Sequence, residues 1–226
     1  MCKQMRTIIT LPKTQKRKLP EKFRKDDNRF SETLVEHFLE EYTKRGDIVL
    51  DIFAGLGTTL FVAEEMGRIP YGVEYSKERC IYIKENLQNK ENIIHGDSLK
   101  LLDYDIPKCD FCFASPIYMN KDETKNPYAA HSISGSYKQY LDDTRKIYSN
   151  VKKIMKPDSY IVIEVSNLKK EGEVTTLAWD IGKEISKILH FEGEIVINWV
   201  SDGSEGEDGT YGYGYDHSYC LVFKKK

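Results

Sequence analysis

With 226 residues, 40% of them hydrophobic and 31% charged, the chain is long enough for one large domain with a buried core and has an ordinary globular composition. It has no apolar run of transmembrane length and no signal-peptide pattern, which predicts a soluble, cytoplasmic protein with no membrane partner. Five cysteines at unpatterned positions argue against a disulfide framework.

The net charge of −2 conceals an uneven distribution. Of 34 basic and 36 acidic residues, residues 1–25 hold nine basic and one acidic, so the rest of the chain carries 25 and 35. A basic arm on an acidic body predicts a polyanion contact at one edge. Residues 1–29 lack periodicity, and Pro12, Pro20 and Lys16-Arg17-Lys18 read as an extended arm. A helix is expected from Ser31, with Ser31 as its cap, Phe30 and Val35 as a hydrophobic staple, and Gly46 as its stop.

Residues 47–51 then read as a strand, followed by Phe53-Ala54-Gly55-Leu56-Gly57-Thr58-Thr59 and a helical run to about Met66. Strand, glycine turn and helix in this order make a nucleotide-type site, because Gly55 and Gly57 let backbone approach a ligand and helix N–H groups face it. The third glycine of the dinucleotide fingerprint is replaced by Leu60, which disfavours NAD and an oxidoreductase. Strand two, residues 70–73, ends at Glu74, placed to accept ribose hydroxyls. After a helix over 77–87, strand three (92–95) is followed by Asp97, placed to accept from an adenine amino group.

Strand four, residues 109–114, ends in Ser115-Pro116-Ile117-Tyr118. Pro116 pushes Ser115 toward an extended backbone and leaves a carbonyl with no N–H of its own. Tyr118, read as exposed, supplies a flat face. Acceptors on a pocket floor beside a stacking wall suit a planar heterocycle bearing an amino group. Cys109 and Cys112 lie inside the apolar strand and no second cysteine or histidine pair completes a zinc site, so they are read as core residues and no metal is expected. Four consecutive strand tips thus carry Asp51, Glu74, Asp97 and Ser115, the usual address of a ligand site in a parallel sheet.

Residues 119–136 form a long polar connection, read as a mobile lid or substrate clamp. A strong helix is expected over 137–155, with its tyrosines in the core or lining a groove, then a strand (159–165), a helix (177–189) and a strand (191–200). Residues 201–216, with five glycines, five acids and Tyr211, Tyr213 and Tyr215, read as a flexible surface loop, and 217–224 as the last strand. The chain divides into a basic N-terminal arm (1–29) and a single domain (30–226) with loop insertions at 119–136 and 201–216.

The series Asp51-Ile-Phe-Ala-Gly-Leu-Gly-Thr-Thr, Glu74, Asp97, Ser115-Pro-Ile-Tyr and the closing His217-Ser-Tyr-Cys-Leu-Val-Phe resembles the amino-methyltransferases of nucleic acids: the DNA cytosine-N4 and adenine-N6 methylases and their RNA relatives. The resemblance implies a Rossmann-like α/β fold with a seven-stranded sheet, its last strand antiparallel and helices on both faces, and S-adenosyl-L-methionine as methyl donor. It assigns Asp51, Phe53, Gly55 and Gly57 to the methionine end of the donor, Glu74 to its ribose and Asp97 to its adenine, and it counts Thr58 and Ser115 among the donor-binding residues as well. Ser115, Pro116 and Tyr118 go to the target base as the catalytic set. Serine in the first position resembles the cytosine-N4 branch. The chain departs from the family pattern at Ile117, where a second proline is usual, and in the short span left for target recognition, which favours structured RNA such as ribosomal RNA over DNA.

Overall fold

The computed structural model describes residues 6–25, 27–128, 135–200 and 217–226. In chain order its elements are β1 (Ile8–Pro12), α1 (Glu21–Arg24), α2 (Glu32–Tyr42), β2 (Ile48–Asp51), α3 (Thr58–Glu65), β3 (Ile69–Glu74), α4 (Lys77–Asn86), β4 (Ile93–His95), β5 (Cys109–Ala114), α5 (Tyr137–Ile154), β6 (Met155–Val165), β7 (Leu168–Lys170), β8 (Glu173–Thr175), α6 (Leu177–Ile185), β9 (His190–Val200) and β10 (His217–Lys224). Short 3₁₀ turns precede and follow β4 at Lys90–Asn92 and Ser98–Asp103.

The central strands are buried on both faces, so they read as continuous apolar runs and side-chain alternation decides which layer each residue joins. Leu50, Cys112, Ala114, Ile161 and Ile163 pack toward α5 and α6. Val49, Phe111, Phe113 and Val162 pack toward α2 and α3. Phe111 and Phe113 are fully buried, and each such side chain contributes about 1.5–3 kcal/mol through burial. A third cluster joins α1, α3 and α4 through Phe23, Phe61, Tyr82 and Ile83. Cys109 and Cys112 are fully buried, and burial pushes the Cys109 thiol up to about 12.

Among the described residues the main sheet has eight strands, ordered β1-β9-β10-β6-β5-β2-β3-β4. The neighbours β6-β5-β2-β3-β4 run parallel, and β10 runs antiparallel between β6 and β9. This is the expected Rossmann-like sheet with one strand more than expected. The added strand comes from the arm: β1 pairs parallel with β9, from Ile8 opposite Val196 to Pro12 opposite Val200.

One local reading changes. Ser31 is the residue before α2 but its side chain makes no capping hydrogen bond. Its Oγ instead accepts from Thr14 N at 2.9 Å and reaches the Pro12 and Thr14 carbonyls, each at 3.1 Å, which ties the arm to the body. Two of the arm's charges also have acidic partners on the surface of the body. Lys16 pairs with Glu36, and Arg17 pairs with Glu65 at 2.7 Å while lying 4.1 Å over the Phe61 ring.

Candidate nucleotide and base site

Because β5, β2, β3 and β4 are parallel neighbours, Ser115, Asp51, Glu74 and Asp97 come to one edge of the sheet. A cleft of about 530 Å³ opens there, a volume in the range of small-molecule sites. It is lined by Phe53, Gly55, Thr58, Glu74, Asp97, Ser115, Pro116 and Tyr118 among the expected residues.

The floor begins at the turn after β2. Gly55 has φ +56 and its N–H donates to Glu74 Oε2 at 2.7 Å, while Ser76 N donates to Glu74 Oε1, also at 2.7 Å. These bonds fix the carboxylate across the mouth of the turn and leave each oxygen a further lone pair. Glu74 is 7% exposed; burial raises its pKa, against the pull of the Ser76 and Gly55 amides. Asp97 Oδ1 accepts from Leu99 N at 2.9 Å, so its side chain is held as it enters the cleft wall. Ser98 beside it reaches the Ile52 carbonyl, joining the β2 and β4 tips.

Asp51 and Gly57, expected to meet the ligand, are not part of the cleft wall. Asp51 is 1% exposed and its Oδ1 accepts from Phe53 N at 2.9 Å, so it shapes the turn from behind. Burial pushes its carboxyl up to about 7 despite that hydrogen bond. Gly57 has φ +84, and a Cβ on it would sit 2.8 Å from Phe61 Cε2 and 3.0 Å from Ile83 Cγ1. Helix packing alone therefore requires glycine here. Leu60, in the place of the absent third glycine, is fully buried against Gly72, where a Cβ would come within 2.6 Å of Leu60 Cδ1. The close helix–strand approach is thus made by a glycine on β3.

At the β5 tip the exposed side chain is Ile117, at 49%, whereas Tyr118 is half-buried, contrary to its reading as exposed. The Tyr118 hydroxyl accepts from Ser166 N at 2.9 Å and donates to Glu164 Oε2 at 3.3 Å. Both partners come from the end of β6, so the ring hangs from a tethered hydroxyl along the cleft wall. Glu164 is 8% exposed. Burial raises its pKa, and the hydroxyls of Ser115, Ser218 and Tyr118 pull it back.

Several wall residues were not anticipated: Asn28 and Arg29 from the arm, Phe30 just after it, Tyr75 and Arg79 after β3, and Pro127 and Tyr128 from the connection after β5. Arg29 is neutralised by Asp27, Nε and Nη2 each lying 2.8 Å from a carboxylate oxygen. Tyr75 follows directly on Glu74 and was the one detectable signal, an aromatic at a strand tip. Within the expected lid, residues 119–128 are anchored. Asn126 is 1% exposed and donates to Asp143 Oδ2 at 2.7 Å, and Tyr128 stacks on Phe53 with centroids 5.6 Å apart. Residues 129–134 of that lid and the loop 201–216 with its tyrosines lie outside the described residues. In α5, Tyr140 and Tyr148 are fully buried core residues, as read. No cluster of histidine, cysteine and acidic residues that could hold a metal occurs among the described residues, and none of their helices is long and apolar enough to cross a membrane.

Residues 6–85 match the family model of the N6/N4 DNA methylases, described as DNA methylase. Type II methyltransferase M.BamHI of Bacillus amyloliquefaciens is 42% identical over 64 residues, which cover 28% of this chain and 15% of that protein. Type II methyltransferase M.MjaII of Methanocaldococcus jannaschii is 32% identical over 98 residues, 43% of this chain and 16% of that protein. The match therefore spans about a sixth of the length of these relatives. Among solved structures, TrmN from Thermus thermophilus superposes with a TM-score of 0.60 at 14% identity, covering 87% of this chain and 49% of that one. A TehB-like SAM-dependent methyltransferase from Corynebacterium glutamicum gives a TM-score of 0.56 at 15% identity, covering 91% and 93%. The chain has the Rossmann-like fold seen in solved S-adenosylmethionine-dependent methyltransferases, and its N-terminal part is similar to the N6/N4 DNA methylases.

Proposed function

We propose that this protein transfers a methyl group from S-adenosyl-L-methionine to the exocyclic amino nitrogen of a base in nucleic acid, with cytosine N4 in a structured RNA as the favoured target. The observation that carries this reading is the convergence of Glu74, Asp97, Ser115, Pro116 and Tyr118 on one cleft at the C-terminal edge of the parallel strands.

The residues present suit the donor. The unused lone pairs of Glu74 suit two ribose hydroxyls, Asp97 suits an adenine amino group, and Phe53, Gly55 and Thr58 form the wall nearest the turn, where the methionine end is assigned. Asp51 serves that end indirectly, by ordering the turn through Phe53 N. Tyr75 offers an aromatic face beside Glu74. Once bound, the donor supplies an electrophilic methyl group on a sulfonium.

The amino nitrogen of cytosine is a poor nucleophile because its lone pair is delocalised into the ring. The Ser115 hydroxyl and the Pro116 carbonyl accept its two hydrogens, which localises the lone pair and aims it across the cleft. The tethered Tyr118 ring stacks on the base and fixes its plane. Such alignment supplies on the order of 7–11 kcal/mol of a barrier. Serine rather than an acid at the first position supports cytosine N4, and the short connections around the cleft support recognition by shape. A DNA substrate is the second reading, favoured by the similarity to type II methyltransferases. The test is incubation with methyl-labelled donor and pools of total RNA and duplex DNA. Label in either polymer, lost on Tyr118→Ala, supports the proposal; label in neither overturns it.

A further inference from the structure

β5 and β6 pair in parallel with Ala114 opposite Ile163, so the next residues, Ser115 and Glu164, are cross-strand neighbours on the same face of the sheet. On the other side of β6, Glu164 is opposite Cys220 of β10, and the carboxylate also meets the Tyr118 hydroxyl at 3.3 Å. A carboxylate thus stands directly behind two of the three residues assigned to the base, yet outside the cleft wall. Nothing in binding or aligning the base requires an acid there. Burying an acid with no cation beside it is costly, and among the described residues the groups facing it from the packed elements are Ser115, Tyr118 and Ser218, whose hydroxyls hydrogen-bond it, and Cys220, none of which is cationic.

Resting on the proposed amino methylation, we propose that Glu164 takes up, through the Ser115 hydroxyl, the proton that the amino nitrogen must lose when it is methylated. A neutral amino group that gains a methyl group bears one hydrogen too many. Its N–H bond breaks with the electron pair remaining on nitrogen, and the proton passes to Ser115 Oγ. The Ser115 O–H proton passes in turn to a Glu164 carboxylate oxygen, which becomes a neutral carboxyl. Ser115 ends as it began, and the carboxyl returns its proton to solvent after the product leaves. Desolvation of Glu164 strengthens it as a base for this task. Glu164 never touches the base, so it is a positioning and proton-accepting residue acting through Ser115.

The experiment compares wild type, Glu164→Gln and Ser115→Ala in single-turnover methyl transfer across a pH series, with donor affinity measured by calorimetry and the carboxyl titration of the donor-free proteins followed by infrared spectroscopy. Glu164→Gln keeps the shape and the hydrogen-bond acceptor, so donor affinity is expected within twofold of wild type while transfer falls by about 10²-fold. The wild-type rate is expected to decline on the acid side as Glu164 is protonated, and that limb is expected to vanish in both variants. A carboxyl band titrating above the ordinary glutamate range should be present in wild type and Ser115→Ala and absent from Glu164→Gln. The proposal is overturned if Glu164→Gln transfers at the wild-type rate with the acid limb intact, if the limb survives in Ser115→Ala, or if donor affinity and rate fall together. A wild-type protein that methylates no nucleic acid would instead remove the parent reading, while the infrared result would still report on the carboxyl.

Discussion

The amide of Gly55 donates to Glu74 Oε2 at 2.7 Å, joining the turn after β2 to the tip of β3. With the Ser76 amide on the other oxygen, this one carboxylate sets both the shape of the cleft floor and the charge in it. Glu74→Ala leaves two backbone donors without that partner and should lower stability by about 1–3 kcal/mol and abolish donor binding. Glu74→Gln keeps one acceptor and should retain most of the stability while weakening the donor at least tenfold. Thermal melts and calorimetry on the two variants separate the roles; equal donor affinity in Glu74→Gln and wild type would remove Glu74 from the ribose.

The two glycines of the turn should respond differently. Gly57→Ala meets Phe61 at 2.8 Å in a left-handed backbone, so it should cost about 2 kcal/mol or more in stability. Gly55→Ala, at φ +56, meets only the Phe53 carbonyl at 3.7 Å, so it should cost about 1–2 kcal/mol but place a methyl group on the cleft wall and weaken donor binding. Denaturant melts and donor titrations of the pair check this directly.

Asp51 makes a pH prediction. Its unfolded value is that of an ordinary aspartate, about 4, and its folded value is about 7 because burial disfavours the charge. Between those values the folded protein holds a proton that the unfolded chain does not. Stability from this group is therefore fully present below about pH 4, declines as pH rises to about 7, and is flat above. Glu74 and Glu164, also raised by burial, tilt the curve the same way. Asp51→Asn should flatten the decline by several kcal/mol at most, as read from urea melts across the pH series. An unchanged slope would show that Asp51 is not the group titrating.

Tyr118→Ala and Asp97→Ala should separate the two halves of the cleft. Loss of the tethered ring should cut turnover strongly and leave donor affinity nearly intact. Loss of Asp97 should weaken the donor first and spare the rate at saturating donor. Calorimetry with single-turnover kinetics distinguishes the two, and wild-type turnover in Tyr118→Ala would end the stacking role.

The site edge was legible because each buried strand breaks off abruptly at a polar residue: Asp51, Glu74, Asp97 and Ser115. What sequence periodicity missed depends on partners distant along the chain. Ile8–Pro12 is short and flanked by basic residues, and it becomes a strand through pairing with β9, as where Asn198 Nδ2 reaches Thr10 Oγ1 at 3.3 Å across a separation of 188 residues. Ser31 has the right position for a cap, yet its hydroxyl is drawn to the arm by Thr14 and Pro12. The packing demand on Gly57 was hidden because the motif does not reveal the Phe61 ring behind it. Glu164 was visible as a lone acid in Ile-Val-Ile-Glu-Val, a local conflict whose partners only the sheet register supplies.

The most direct measurement is nucleoside mass spectrometry on ribosomal RNA, ribosomal subunits and duplex DNA after incubation with methyl-labelled S-adenosyl-L-methionine. The account predicts label on an exocyclic amino nitrogen, as N4-methylcytidine in RNA. Label on a ring carbon, ring nitrogen or ribose oxygen, with none on an amino nitrogen, would contradict it.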